Sequence, residues 1–241
     1  MPKLPRSIDA IVEQQVLRWE AARARDRRPV QRTWPVITVS RSFGSQGAAL
    51  AAAIADRTGF ELWNQEIVHA VAESAHLPER LLASLDEHRR TAVLTVLDAF
   101  GAPTGGEESY FRHLMALLHT LGEHGGAVIV GRGAHFALDA GAALRVRVDA
   151  PIDHRVASLA ERRGIDEHEA RKLVADADAE RRDFVRQYYD RQLDDASAFD
   201  LVLNSATLPP EGMVDVVLSA YRARFGAISE VRAHKELRFP G

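Results

Sequence analysis

Apolar positions along the chain follow two rhythms: short unbroken runs, and longer stretches where apolar residues return every three or four positions. The first rhythm predicts strands at 36–40, 60–63, 127–130, 144–148 and 201–203. The run Ala127-Val128-Ile129-Val130 has no polar position, which suits a strand covered on both faces. The second rhythm predicts helices at 8–25, 48–58, 65–75, 107–123, 134–138, 151–163, 166–191 and 209–225. Residues 77–100 read as further helix with a break near Asp86. Gly59 and Gly164 stand where helices stop, and Asn64 and Asp166 where helices start, with Glu169 in the capping-box position.

Strands alternating with helices predict an α/β fold: a parallel sheet with helices on both faces. Ligands of such sheets bind beyond the carboxyl ends of the strands, where the segments Ser40–Gly47 and Gly131–Gly133 fall. Three regions are expected: a helical arm and linker over 1–35, an α/β domain over 36–226, and a polar tail over 227–241. The linker is the basic stretch 23–32, broken by Pro29. The arm places Ile8, Ile11, Val12, Val16 and Trp19 on one helical stripe, too apolar to stand free. It is expected to pack on the core or on a second copy of the chain.

Composition narrows the function classes. The 241 residues are 46% apolar, enough for a substantial core. A net charge of −3 gives no footprint for nucleic acid or a membrane surface. There is no cysteine, so thiol catalysis and disulfides are excluded. No apolar run approaches the ~18 residues that span a bilayer. Charges interrupt 8–28 too often for a signal peptide, so a soluble cytoplasmic chain is expected. The ten histidines show no paired metal-ligand spacing, and no metal site is expected from them. Of 31 basic residues only Lys3, Lys172 and Lys235 are lysines, and none lies in a strand-to-helix turn.

The segment Ile37-Thr38-Val39-Ser40-Arg41-Ser42-Phe43-Gly44-Ser45-Gln46-Gly47 carries the main chemical signal. Strand, glycine turn and helix in succession aim backbone N–H groups at a phosphate. The strict phosphate loop is G-x-x-x-x-G-K-[ST]. Registered on Gly47, Ser42 takes the first glycine, Ala48 the lysine and Ala49 the hydroxyl. The turn is either a tight connection or a phosphate cradle. Val130-Gly131-Arg132-Gly133 repeats the pattern with an arginine between two glycines. The segment from Asp178 to Arg186, with Arg155, Arg162, Arg163, Arg171 and Arg191, makes a helical pair dense in arginine. Such a pair is either a solvated face laced with i,i+4 charges or a cover that meets transferring phosphate.

In order and spacing these elements resemble the cytidylate-kinase-like family of nucleoside monophosphate kinases. Residues 37–47 resemble its opening Ser-Arg-x-x-Gly-Ser-x-Gly segment. Trp63-Asn64-Gln65-Glu66-Ile67 resembles the segment after its second strand, Val130-Gly131-Arg132-Gly133-Ala134 its Gly-Arg-Gly motif, and Phe199-Asp200-Leu201-Val202-Leu203-Asn204 its closing strand. The resemblance covers roughly 36–225. It implies a P-loop kinase-like fold with an arginine-rich helical lid, and ATP with Mg2+ as phosphate donor to a nucleoside monophosphate. It implies phosphate contacts at Ser40, Gly44, Ser45, Gln46 and Gly47, an acceptor-phosphate clamp at Arg132, and lid arginines Arg162, Arg181 and Arg186.

Two departures shape the expectation. Ala48 and Ala49 remove the bridging cation and the metal-ligating hydroxyl. A loss of that kind costs on the order of 3 kcal/mol of transition-state stabilisation, ~10²-fold in rate. An active enzyme would need an arginine to supply the charge, with Arg41 and Arg181 the candidates beside Arg132 for catalysis. Gly133 also stands where cytidylate kinases carry an aspartate, so cytosine specificity does not carry over. The two readings are a magnesium-dependent kinase of a nucleoside monophosphate, and a non-catalytic nucleotide- or phosphate-binding protein with a regulatory or assembly role.

Overall fold

The computed structural model describes residues 7–25, 34–74, 76–101 and 105–226. Residues 26–32 of the expected linker and the whole expected tail lie outside them. The described chain divides into two units, one built from residues up to Trp34 with Gln65–Gly125, the other from Pro35–Asn64 and the chain from Gly126 onward.

The second unit holds a sheet of strands β1 (Val36–Arg41), β2 (Glu61–Trp63), β3 (Ala127–Val130), β4 (Ala143–Asp149) and β5 (Leu201–Asn204). Every strand pair is parallel, in the order β2-β3-β1-β4-β5. The neighbouring strands β1 and β3 lie inside the sheet and are buried along their length but for Arg41. Their register pairs Val39 with Val130, and β1 pairs Ser40 with Arg147 on its other side. The three strands therefore end together, and their following turns share one edge of the sheet. The chain leaves β1 to one side for β2 and returns to the other for β4, and such a reversal opens a crevice at the carboxyl end of β1.

Helices cover the sheet. The helix α2 (Gly47–Thr58) buries Leu50, Ala51, Ile54 and Ala55, and ends at Gly59, which adopts φ +79 and bonds back to Ala55 O at 2.8 Å. The last helix, α10 (Pro210–Phe225), packs beside it and ties Asp215 to Arg57 at 3.0 Å. Its Tyr221 is fully buried and donates to Pro35 O at 2.6 Å. A short helix, α7 (Ala134–Ala137), follows β3, and the helical pair α8 (Ile152–Arg163) and α9 (Glu167–Tyr189) encloses its own small core of Val156, Leu159, Ala170 and Val174. Asp166 caps α9 through the Glu169 N–H at 2.8 Å. The helix stops at Tyr189, two residues before the sequence expectation, because Asp190 turns left-handed at φ +50.

The first unit is helical: α1 (Ile8–Arg25), α3 (Gln65–Glu73), α4 (Leu77–Ala83), α5 (Glu87–Asp98) and α6 (Gly106–His124). The apolar face of α6 gathers α3, α4 and α5. Asp86 breaks the 77–100 pattern by capping α5 through the Arg89 N–H at 3.0 Å. The arm α1 packs on α3 and α4, buries Val12, and stacks Trp19 on His124 at 3.5 Å.

Candidate functional site

The loop between β1 and α2 extends the sheet's hydrogen bonding before it turns. Ser42 N donates to Val148 O at 3.1 Å, and the buried Ser45 hydroxyl lies 2.9 and 3.0 Å from the carbonyls of Ser42 and Val148. Gly44 adopts φ +87, and a β-carbon there would meet Arg155 O at 2.9 Å. At Gly47 a β-carbon would lie 2.6 Å from the Arg41 β-carbon. Gln46 takes the left-handed conformation at φ +61 despite its side chain. The first bond of α2 runs from Leu50 N to Gln46 O at 3.1 Å, so the N–H groups of Gly47, Ala48 and Ala49 lack intrahelical partners. Ala48 and Ala49 are solvent-exposed at this mouth.

Buried arginines brace the loop from behind. Arg147 on β4 donates to Ser42 Oγ at 3.3 Å, Asp149 Oδ2 at 3.3 Å and Asp194 Oδ1 at 2.9 Å. Arg155 on α8 donates to Ala150 O at 2.9 Å, Phe43 O at 3.1 Å and Asp178 Oδ2 at 2.6 Å. Asp178, on α9, also accepts the Phe43 N–H at 2.9 Å. Phe43 anchors in the α8–α9 core, with Arg181 and Arg163 over its ring at 5.2 and 5.7 Å. Burial lowers the pKa of the Arg181 guanidinium, Asp178 opposes that shift, and Arg132 adds to it.

The turn after β3 presents Arg132. Gly131 N donates to Val39 O at 3.1 Å, which ties this turn to the end of β1. Arg132 is left-handed at φ +51. Its guanidinium carbon lies 4.9 Å from the centre of the Phe184 ring, and its Nε is buried with no hydrogen-bond partner in the structure. Arg147 and Arg155 are consumed by bracing; Arg132 carries a cation whose Nε is free to donate.

The structure thus gathers Ser40 and Arg41 at the end of β1, Gly44, Ser45 and Gln46 in the turn after it and Gly47 at the start of α2, with Arg132 at the adjacent turn and Arg181 against Phe43 and near Arg132. Arg162 is exposed and bonds the Ser158 carbonyl of its own helix, and Arg186 is exposed on α9. Arg163, beside Arg162, is the residue that reaches the loop's phenylalanine. Sequence reasoning passed over Arg147, Asp178 as a loop partner, and Tyr189. A charged residue inside the strand pattern 144–148 was the available signal for Arg147. His135, weighed in the sequence only as a metal ligand, is buried between Phe136 and Phe199. Burial first, then Arg147 and Arg145, lower its pKa to about 3.

The residues at the loop do not fit a resident Mg2+. The hydroxyl position is the Ala49 methyl, the Ser45 hydroxyl is engaged by carbonyls, and Asp149 is held by Arg147 and the Ala150 N–H. Among the described residues no group of three metal-ligating side chains gathers.

A parallel five-stranded sheet between helices, with a glycine loop leading from β1 into α2 and an arginine-rich helical pair, is an α/β fold of the P-loop kinase-like class. The model of the cytidylate kinase-like family matches residues 36–207, and the chain belongs to that family. The cytidylate kinase of Pyrococcus horikoshii is 29% identical over 185 residues, spanning 77% of this chain and 87% of that protein. The cytidylate kinase of Thermococcus kodakarensis is 33% identical over 93 residues, 39% of this chain and 48% of its own. The crystal structure of an uncharacterized protein from Eubacterium ventriosum shares the fold, with a TM-score of 0.60 and 19% identity over 79% of this chain and 99% of that one. No helix among the described residues is long and apolar enough to cross a membrane.

Proposed function

We propose that the chain transfers a phosphoryl group from ATP to a nucleoside monophosphate, cytidine monophosphate being the first acceptor to try. The observation that carries this reading is the Arg132 guanidinium, its Nε buried without a partner, on a glycine turn hydrogen-bonded to the end of β1. Arginine grips a phosphate through a planar fork and stays ionised. The N–H groups of Gly47, Ala48 and Ala49 supply the donor-phosphate cradle, with the α2 dipole behind them. Arg41 and Arg181 are the candidates to replace the missing lysine. Arginine stabilises transferring phosphate from outside a loop, as arginine fingers do.

The exposed methyls of Ala48 and Ala49 favour a second reading, in which the site binds nucleotide or phosphate without turning it over. One assay separates the two. Purified chain is incubated with Mg2+, ATP and CMP, UMP or AMP, beside the Ala48→Lys, Ala49→Ser double variant. Slow transfer that the double variant raises about tenfold or more supports the kinase reading. No transfer by either protein, with nucleotide still bound, overturns it and leaves the non-catalytic reading.

A further inference from the structure

We infer that Tyr189 is a positioning residue for Arg132: it holds the 131–133 turn from the far end of α9 and so sets the acceptor-phosphate clamp. This rests on the reading of Arg132 given above. Three contacts converge on it. The Tyr189 hydroxyl donates to the Arg132 carbonyl at 2.8 Å. Its ring fills the space beside Gly133, where a β-carbon would meet the ring edge. The same helix, five residues earlier, supplies Phe184, whose ring lies under the Arg132 guanidinium at 4.9 Å.

The turn needs such a hold. Arg132 and Gly133 are both left-handed, at φ +51 and +67, a conformation a side-chain-bearing residue rarely keeps unless its surroundings impose it. The peptide joining them can rotate unless its carbonyl is bonded, and the Tyr189 hydroxyl is the group that bonds it. Relaxation of Arg132 from its left-handed φ would swing its side chain away from Phe184. Gly133 is then required twice, for its positive φ and for the room the phenol occupies. Arg181, Phe184 and Tyr189 follow one another along α9. One helix therefore carries a site cation, a platform for the clamp and the pin for its turn.

The test measures CMP and ATP affinity by calorimetry for the wild-type chain, Tyr189→Phe, Gly133→Ala, Arg132→Lys and the Tyr189→Phe, Arg132→Lys pair, with melting curves for each. Losing one hydrogen bond should weaken CMP about three- to tenfold in Tyr189→Phe, with ATP affinity unchanged. Gly133→Ala, which displaces the ring while keeping the hydroxyl, should weaken CMP at least as much. In the Arg132→Lys background the tyrosine change should cost less than about twofold, because the clamp it serves is already lost. CMP binding unaltered in Tyr189→Phe, or weakened equally in both backgrounds, overturns the inference while the Arg132 reading stands. A wild-type chain that binds ATP but no monophosphate removes the Arg132 reading and the role of Tyr189 with it.

Discussion

At the scale of single residues, close approach in the loop makes definite demands. A β-carbon at Gly47 would lie 2.6 Å from that of Arg41, between two fixed strands' ends. Gly47→Ala should destabilise the chain by about 1–3 kcal/mol, read as a lowered urea midpoint. Gln46 sits left-handed at φ +61, so Gln46→Gly should add up to about 1 kcal/mol in the same measurement. His135 gives a pH signature. Unfolded, its imidazole takes a proton as pH falls through about 6.5; folded, burial and the neighbouring arginines hold that step down to about 3. Between those values the unfolded chain binds more protons, so stability falls with falling pH by about 1.4 kcal/mol per unit. Lowering pH from 7 to 5 should cost about 2 kcal/mol through this residue, and His135→Phe should remove that part of the slope.

At the scale of elements, α9 is fastened to the loop by a buried ion pair. Arg155 and Asp178 meet at 2.6 Å with side chains 10% and 17% exposed, and Asp178 also takes the Phe43 N–H. Removing one partner leaves the other charge buried. Asp178→Ala should therefore destabilise by about 3–5 kcal/mol, while the double change Arg155→Leu with Asp178→Leu should recover much of that, both read from thermal unfolding. The elements themselves were legible in the sequence because strand and helix periods differ and glycine or aspartate punctuates them. Asp86 and Asp166 cap helices where the pattern placed breaks. The pair Arg155–Asp178 was not legible, since 23 positions separate residues that only the α8–α9 turn brings together. The same holds for Tyr189 and Arg132, which are 57 positions apart.

At the scale of the whole molecule, the sequence pattern foresaw an α/β sheet and two glycine turns at its carboxyl edge, and β1 and β3 are adjacent as that requires. It did not show that the helices between β2 and β3 would form a separate unit with the arm, because periodicity says which face is apolar and not what covers it. In that unit Val12 is fully buried where α1 meets α3 and α4. Val12→Asp should lower stability by about 3 kcal/mol or more in thermal unfolding, as an unpaired buried carboxylate does. The central claim is that Arg132 grips the phosphate of an acceptor nucleotide, and its most direct test is calorimetric titration of CMP into the wild-type chain and Arg132→Lys. Lysine keeps the charge and loses the fork. The account predicts an affinity about tenfold weaker or worse with an unchanged melting temperature. An unchanged affinity with a lowered melting temperature would contradict it and make Arg132 a structural residue.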